Sequence, residues 1–180
     1  MSVALKYSII FISLIVVMLV ALFFIVSFLK KKRKNNMYIA INQLFNEYIK
    51  NNPDCTFEEV SKAEYDYKFE TPKYIYYIKL VPNFTNQEIT VNNSVKWQLR
   101  KSFNDESLRF VDGIEPLMRM DITNFGKISK KLYIVYPNAR SLLKYINECE
   151  MEFVHPDTDV YGTNIITFVN LNENRDLIEI

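Results

Sequence analysis

The chain has 180 residues and a formal net charge of +1, yet all 21 acidic residues lie beyond Lys34 with only 16 of the 22 basic ones, giving that part −5. A domain of that sign carries no electrostatic footprint for nucleic acid, and the two cysteines, Cys55 and Cys149, build no disulfide framework. One histidine and three scattered glycines exclude multi-histidine zinc sites and glycine-rich phosphate loops.

After a short N-terminal segment, residues 1–6, comes "YSIIFISLIVVMLVALFFIVSFL", Tyr7–Leu29, without a charged, amide, Pro or Gly residue. As a helix it reaches roughly 35 Å, enough for a hydrocarbon core of about 30 Å. A cleaved signal peptide has a shorter apolar region and a small-residue cleavage site; here five basic residues close the run instead. The segment therefore reads as a single transmembrane helix. Lys30, Lys31, Lys32, Arg33 and Lys34 dominate the basic flank 30–36, whereas Lys6 and the α-amino group are the positive charges on the other side. The positive-inside bias then places the N terminus outside and the C-terminal domain in the cytoplasm of a cell membrane. The same flank suits anionic headgroups, at about 1 kcal/mol per basic residue near the surface.

The rest, residues 37–172 with a tail at 173–180, has the size of one domain. "MYIAINQLFNEYIK" carries apolar residues at 37, 38, 41, 44, 45, 48 and 49, one face of a helix that ends at Asn51-Asn52-Pro53. Thr56 and Glu59 have capping-box spacing, which predicts a short helix or turn over 57–62. "EYDYKFE" alternates as a half-buried strand with Tyr65, Tyr67 and Phe69 on one face, and "YIYYIKLV" is apolar on both faces, as a central strand is. In "EITVNNSVKWQLR", Asn92-Asn93 turns a hairpin or interrupts one long strand, and a meander is favoured. Residues 105–120 read as mostly helical, with Pro116 in a first turn. "KLYIVYP" is a buried strand, and Leu142, Leu143, Ile146 and Cys149 mark one face of a following helix packed on it. "MEFV" and "NIITFVN" read as strands around the turn at 155–162. The expected fold class is α+β: one mixed sheet with helices packed mostly on one face.

Few residues suggest chemistry. Cys149 on an apolar face is an inert buried thiol before it is a nucleophile. "HPDTD" offers His155, Asp157 and Asp159 as weak candidate ligands for a divalent ion, against a Pro-Asp turn whose carboxylates cap backbone amides. Trp97 reads as a core anchor, with Lys96, Arg100 and Lys101 beside it as the one argument for a base-stacking platform. Asn83-Phe84-Thr85 and Asn92-Asn93-Ser94 match the glycosylation acceptor pattern, which the orientation argues against. Heavy use of Lys, Asn, Ile, Tyr and Phe points to A+T-rich coding, as in a low-GC bacterium.

A helix bearing an acid, a hairpin with Asp on one strand and Lys ending the next, then α and β, resembles the restriction-endonuclease-like fold of the PD-(D/E)xK nucleases. The resemblance, carried by "YDYKFETPKYIYYIKL", implies Asp66 as first acid, Lys79 as the lysine that polarises the phosphate, and Glu47 as an auxiliary acid on the preceding helix. Where the family has Asp or Glu stands Tyr77, a neutral phenol and a poor ligand for a hard cation. The leading expectation is thus a membrane-anchored, non-enzymatic cytosolic interaction domain that needs no cofactor and binds another protein. The alternative is a degenerate nuclease-like domain holding or acting on nucleic acid near the membrane.

Overall fold

The computed structural model describes residues 3–60, 64–101, 108–122, 126–147 and 150–179. Two compact units divide the chain, Met1–Ile39 and Ala40–Ile180. The first helix, α1, runs from Val3 to Asn51 without interruption, and the basic flank is helical like the run before it. In the first unit every large apolar side chain from Phe11 to Leu29 that is described is exposed, and none of the apolar window is buried. A helix so apolar and so bare is not the core helix of a soluble domain. It is long and apolar enough to cross a membrane.

The second unit is α+β and contains two five-stranded mixed sheets. After α1 come β1 (Thr56–Glu59), β2 (Tyr67–Glu70), β3 (Tyr74–Pro82), β4 (Glu88–Val91), β5 (Trp97–Arg100), β6 (Arg109–Phe110), α2 (Glu115–Arg119), β7 (Ile128–Tyr136), β8 (Leu142–Tyr145), β9 (Met151–Phe153), β10 (Asn164–Thr167) and α3 (Phe168–Glu173). The first sheet has the order β1-β2-β3-β7-β10, antiparallel up to β3 and parallel beyond it. The second has the order β6-β5-β4-β8-β9, with β4 and β8 parallel and the other pairs antiparallel.

Side-chain alternation builds the layers. Along β3, Ile75, Tyr77 and Val81 join Tyr133 and Val135 of β7 on one face, where Ile89, Val91 and Trp97 of the second sheet meet them in one core. Trp97 lies with its ring centre 4.7 Å from that of Tyr133, across the two sheets. The opposite face of the first sheet presents Tyr67, Phe69, Ile78 and Ile134, all buried. The last turns of α1 lie there: Ile41, Leu44 and Phe45 are buried, and the Phe45 ring stacks on Phe57 at 4.3 Å and sits 5.2 Å from Phe69.

Several expectations hold. The helix face at 41, 44 and 45, the central position of β3 and the core placement of Trp97 are all present, and Pro116 opens α2. Of the alternatives at Asn92-Asn93 the hairpin forms, joining β4 to β5, but no meander continues from β3, which belongs to the other sheet. Asn93 makes the hairpin, because its side-chain oxygen accepts from the amides of Val95 and Lys96 at 3.0 and 2.8 Å.

Others are corrected. The described residues form two mixed sheets rather than one. Residues 56–59 form an edge strand, not a helix, and positions 61 and 62 lie outside the described residues; Phe57 is held between Phe45 and Tyr67, and that stacking outweighs the capping-box spacing. Between 108 and 122 the described chain is a two-residue strand and the short α2 rather than a long helix; positions 105–107 lie outside the described residues. The expected helix after Pro137 is β8, drawn into the second sheet by the free edge of β4. Leu142 and Leu143 therefore point to opposite faces, and Ile146, expected in the core, is 58% exposed beyond the strand; Cys149 lies outside the described residues. "NIITFVN" splits into β10 and α3, with Thr167 capping the helix through the Asn170 amide. The tail forms a 3-10 turn, Arg175–Glu179, that buries Ile178.

Candidate functional site

The hairpin β2–β3 carries the pair expected from the nuclease resemblance. Asp66 precedes β2 opposite Lys79, and their charged atoms approach to 3.6 Å with each side chain about four-fifths buried. The second carboxylate oxygen of Asp66 accepts the Leu80 amide at 2.8 Å, and its own amide donates to Ile78 O. Tyr77 belongs to the buried core and meets the Tyr65 ring edge-on at 4.8 Å. Burial, and then the proximity of Tyr77, raise the Tyr65 phenol above its ordinary value. Glu47 is engaged elsewhere: Arg175 donates to it at 2.6 Å, both groups being well exposed. The structure thus joins Asp66 to Lys79 and gives Glu47 a different partner.

At the other candidate, His155, Asp157 and Asp159 are exposed along a turn. The His155 amide donates to Thr158 Oγ1 and the Thr158 amide to His155 O, at 3.0 and 2.9 Å, while Lys144 reaches Asp159 O at 3.2 Å. Among the described residues no group of three or more His, Cys, Asp or Glu is arranged to hold a metal ion. The basic residues Lys30–Lys34 lie on the helix of the first unit, where Lys34 reaches over the Tyr38 ring at 5.8 Å.

Sequence reasoning missed a third feature, the outer face of the second sheet. The register places Phe110, Gln98, Thr90, Leu143 and Phe153 in one row across all five strands, and Tyr145 beside Met151 in the next row along β8 and β9. Phe110, Met151 and Phe153 are exposed, and Leu143 and Tyr145 are half-buried. Beside this face, Tyr145 and Ile146 join Lys144, Glu152, Asp159 and Tyr161 around an open cleft of about 390 Å³. Tyr161 stands in the left-handed region at φ 54°, a conformation rare for a bulky side chain. The signal in the sequence was the pair Leu142-Leu143: a strand apolar on two successive positions needs both its faces covered, or leaves one bare.

Two buried polar groups hold the frame. Asn83, 2% exposed, donates from Nδ2 to Gln87 O and Asn138 O at 2.8 and 3.0 Å and accepts the Gln87 amide at 3.0 Å. It fastens the crossing from β3 to β4 against the chain that leaves β7. Tyr133 donates its hydroxyl to Ile114 O at 2.7 Å, and burial, with Glu115 second, pushes its pKa far up.

Compared with family models, with curated proteins and with solved structures, the chain matches none.

Proposed function

We propose that the chain is a single-pass membrane protein with its N terminus outside, and that its α+β domain is a cytosolic module that binds another protein without catalysing a reaction. The anchor rests on the bare apolar helix followed by five consecutive basic residues. The binding role rests on one observation, the exposed apolar pair Met151 and Phe153 on the edge strand β9 beside half-buried Leu143 and Tyr145, since water-exposed aromatic and Met side chains side by side mark interaction surfaces. The topology is tested with a reporter fused after Ile180. Protease added outside intact cells should leave the domain whole, and its digestion would reverse the orientation.

A second reading, a domain that holds or cleaves nucleic acid, is supported by the 3.6 Å approach of Asp66 and Lys79. Against it stand the buried Tyr77 at the position of the missing acid and the −5 charge beyond Lys34. The full chain incubated with single- and double-stranded DNA and RNA and Mg²⁺ or Mn²⁺ should leave them intact. Cleavage that disappears in both Asp66→Ala and Lys79→Ala would promote this second reading over the first.

A further inference from the structure

Among the described residues no strand pairs with the outer edge of β9, which is open in its backbone as well as its side chains. In the β8–β9 ladder, Val154 donates to Leu142 O and Ile146 to Glu150 O, which fixes the even-numbered residues of β9 as those bonded to β8. The amides and carbonyls of Met151 and Phe153 therefore point away from the sheet. Their side chains continue the outer-face rows of Leu143 and Tyr145, so edge and face form one surface. Sheet edges are ordinarily blunted by charge, by Pro or by a covering element. Here the one charged side chain on the strand, Glu152, is turned back into an ion pair with Lys144 at 2.5 Å.

Apart from Lys144, which pairs with Glu152, the chain that forms and follows this edge carries one sign. From Tyr145 to Asn174 the chain has no Lys or Arg and six Asp or Glu, of which Glu150, Asp157 and Asp159 are exposed next to β9 or on the turn after it. A second copy of β9 would bring the same acids into apposition, so self-pairing is opposed.

Resting on the protein-binding reading above, we infer that β9 accepts a cationic β-strand from a protein partner, added alongside Met151–Phe153. Its main chain would bond the outward amides and carbonyls of Met151 and Phe153. Alternate apolar side chains would continue the outer face over Phe153 and Met151, and Lys or Arg at the remaining positions would face the surrounding acids. Main-chain pairing supplies affinity regardless of sequence; the alternation and the charge supply the choice of partner.

The test uses the full chain in nanodiscs of zwitterionic phosphatidylcholine, with empty nanodiscs as the blank. The probe is a fluorescent synthetic peptide alternating Lys with Val or Ile. Compared with it are a peptide of the same composition in blocks, one with Glu for Lys, and one N-methylated on alternate amides. The alternating cationic peptide should bind about tenfold or more tightly than each of the three, weaken as salt is raised, and lose about tenfold on Phe153→Ser or Met151→Ser. Both side chains are exposed, so the thermal unfolding of these variants should match that of the parent chain. Equal binding of the block-ordered or acidic peptide, or binding unchanged in both variants, overturns the inference. A photo-crosslinking residue at Phe153 and, separately, at the exposed Ile128 separates the two claims in host membranes. Protein adducts from Ile128 alone would overturn the strand site and leave a protein-binding domain, whereas none from either position overturns both.

Discussion

The two sheets share one core but differ in what their other faces meet. The first has α1 residues Ile41, Leu44 and Phe45 on its far face, so β3 and β7 are buried on both sides. The second uses Ile89, Val91, Trp97 and Leu142 for the core and leaves Phe110, Met151 and Phe153 in water. Nothing in strand composition alone separates them, since both carry aromatic and branched residues. The difference lies at the edges: the far face of the first sheet is closed by a helix, whereas the second sheet, with Thr90 buried at the middle of its outer face, leaves its edge strands β6 and β9 with exposed apolar side chains. A sheet closed on both faces is committed to stability, and one with bare apolar edges has surface left for a partner.

The largest expected effect breaks this contrast most directly. Phe45→Ala removes a fully buried ring that touches Phe57 and Phe69, and should lower stability by about 3–5 kcal/mol. The same truncation at Phe153, 64% exposed, should change it by no more than about 0.5 kcal/mol. Thermal or denaturant unfolding of the full chain in detergent measures both. Equal losses would mean that Phe153 is covered in the folded protein and that the second sheet is closed like the first.

Next in size is the crossing that joins the sheets. Asn83→Ala leaves the Gln87 amide and two carbonyls without their partner in a buried corner, at a cost of about 2–3 kcal/mol. Asn83→Asp keeps the acceptor for Gln87 N but presents a carboxylate to two carbonyl oxygens, so it should rescue little. Full rescue by Asp would show that only the amide-to-side-chain bond matters there.

How far the sequence discloses this design depends on the range of the forces involved. The α1 face, β2 and β3 follow from local spacing, since alternation along one hairpin determines which residues oppose each other, while Asp66 and Lys79 are singled out by the nuclease resemblance. The segment 142–146 does not. Leu142, Leu143 and Ile146 satisfy helical spacing as well as strand spacing, and the outcome is decided by a vacant edge on β4 far away in the chain. A strand whose outer face is left bare looks, in one dimension, like one stripe of a helix. Asn83 is hidden for a similar reason: one of its partners, Asn138 O, is 55 residues distant and is a backbone atom, invisible to any motif. The outer face of the second sheet became legible only once β4, β5, β6, β8 and β9 were aligned in register.

The smallest expected effect concerns the turn that starts β3 on the closed sheet. Lys127 donates to Glu70 at 2.7 Å and Lys68 at 3.1 Å, and these hydrogen bonds, that of Lys127 foremost, hold the Glu70 carboxyl below its ordinary value. A carboxyl whose folded value is depressed binds its proton more readily when unfolded. Its contribution is therefore present above the ordinary carboxyl value of 4.5 and is lost as pH falls through the lower folded value. The group is partly in solvent, so the gain near neutral pH stays below about 1 kcal/mol and shrinks with added salt. Glu70→Gln should lower stability by that amount at pH 7 and converge on the parent chain in acid. Unfolding curves of both chains over a pH series measure the convergence. A gap that persists unchanged at low pH would assign Glu70 a packing role and leave the ion pairs without weight in closing the first sheet.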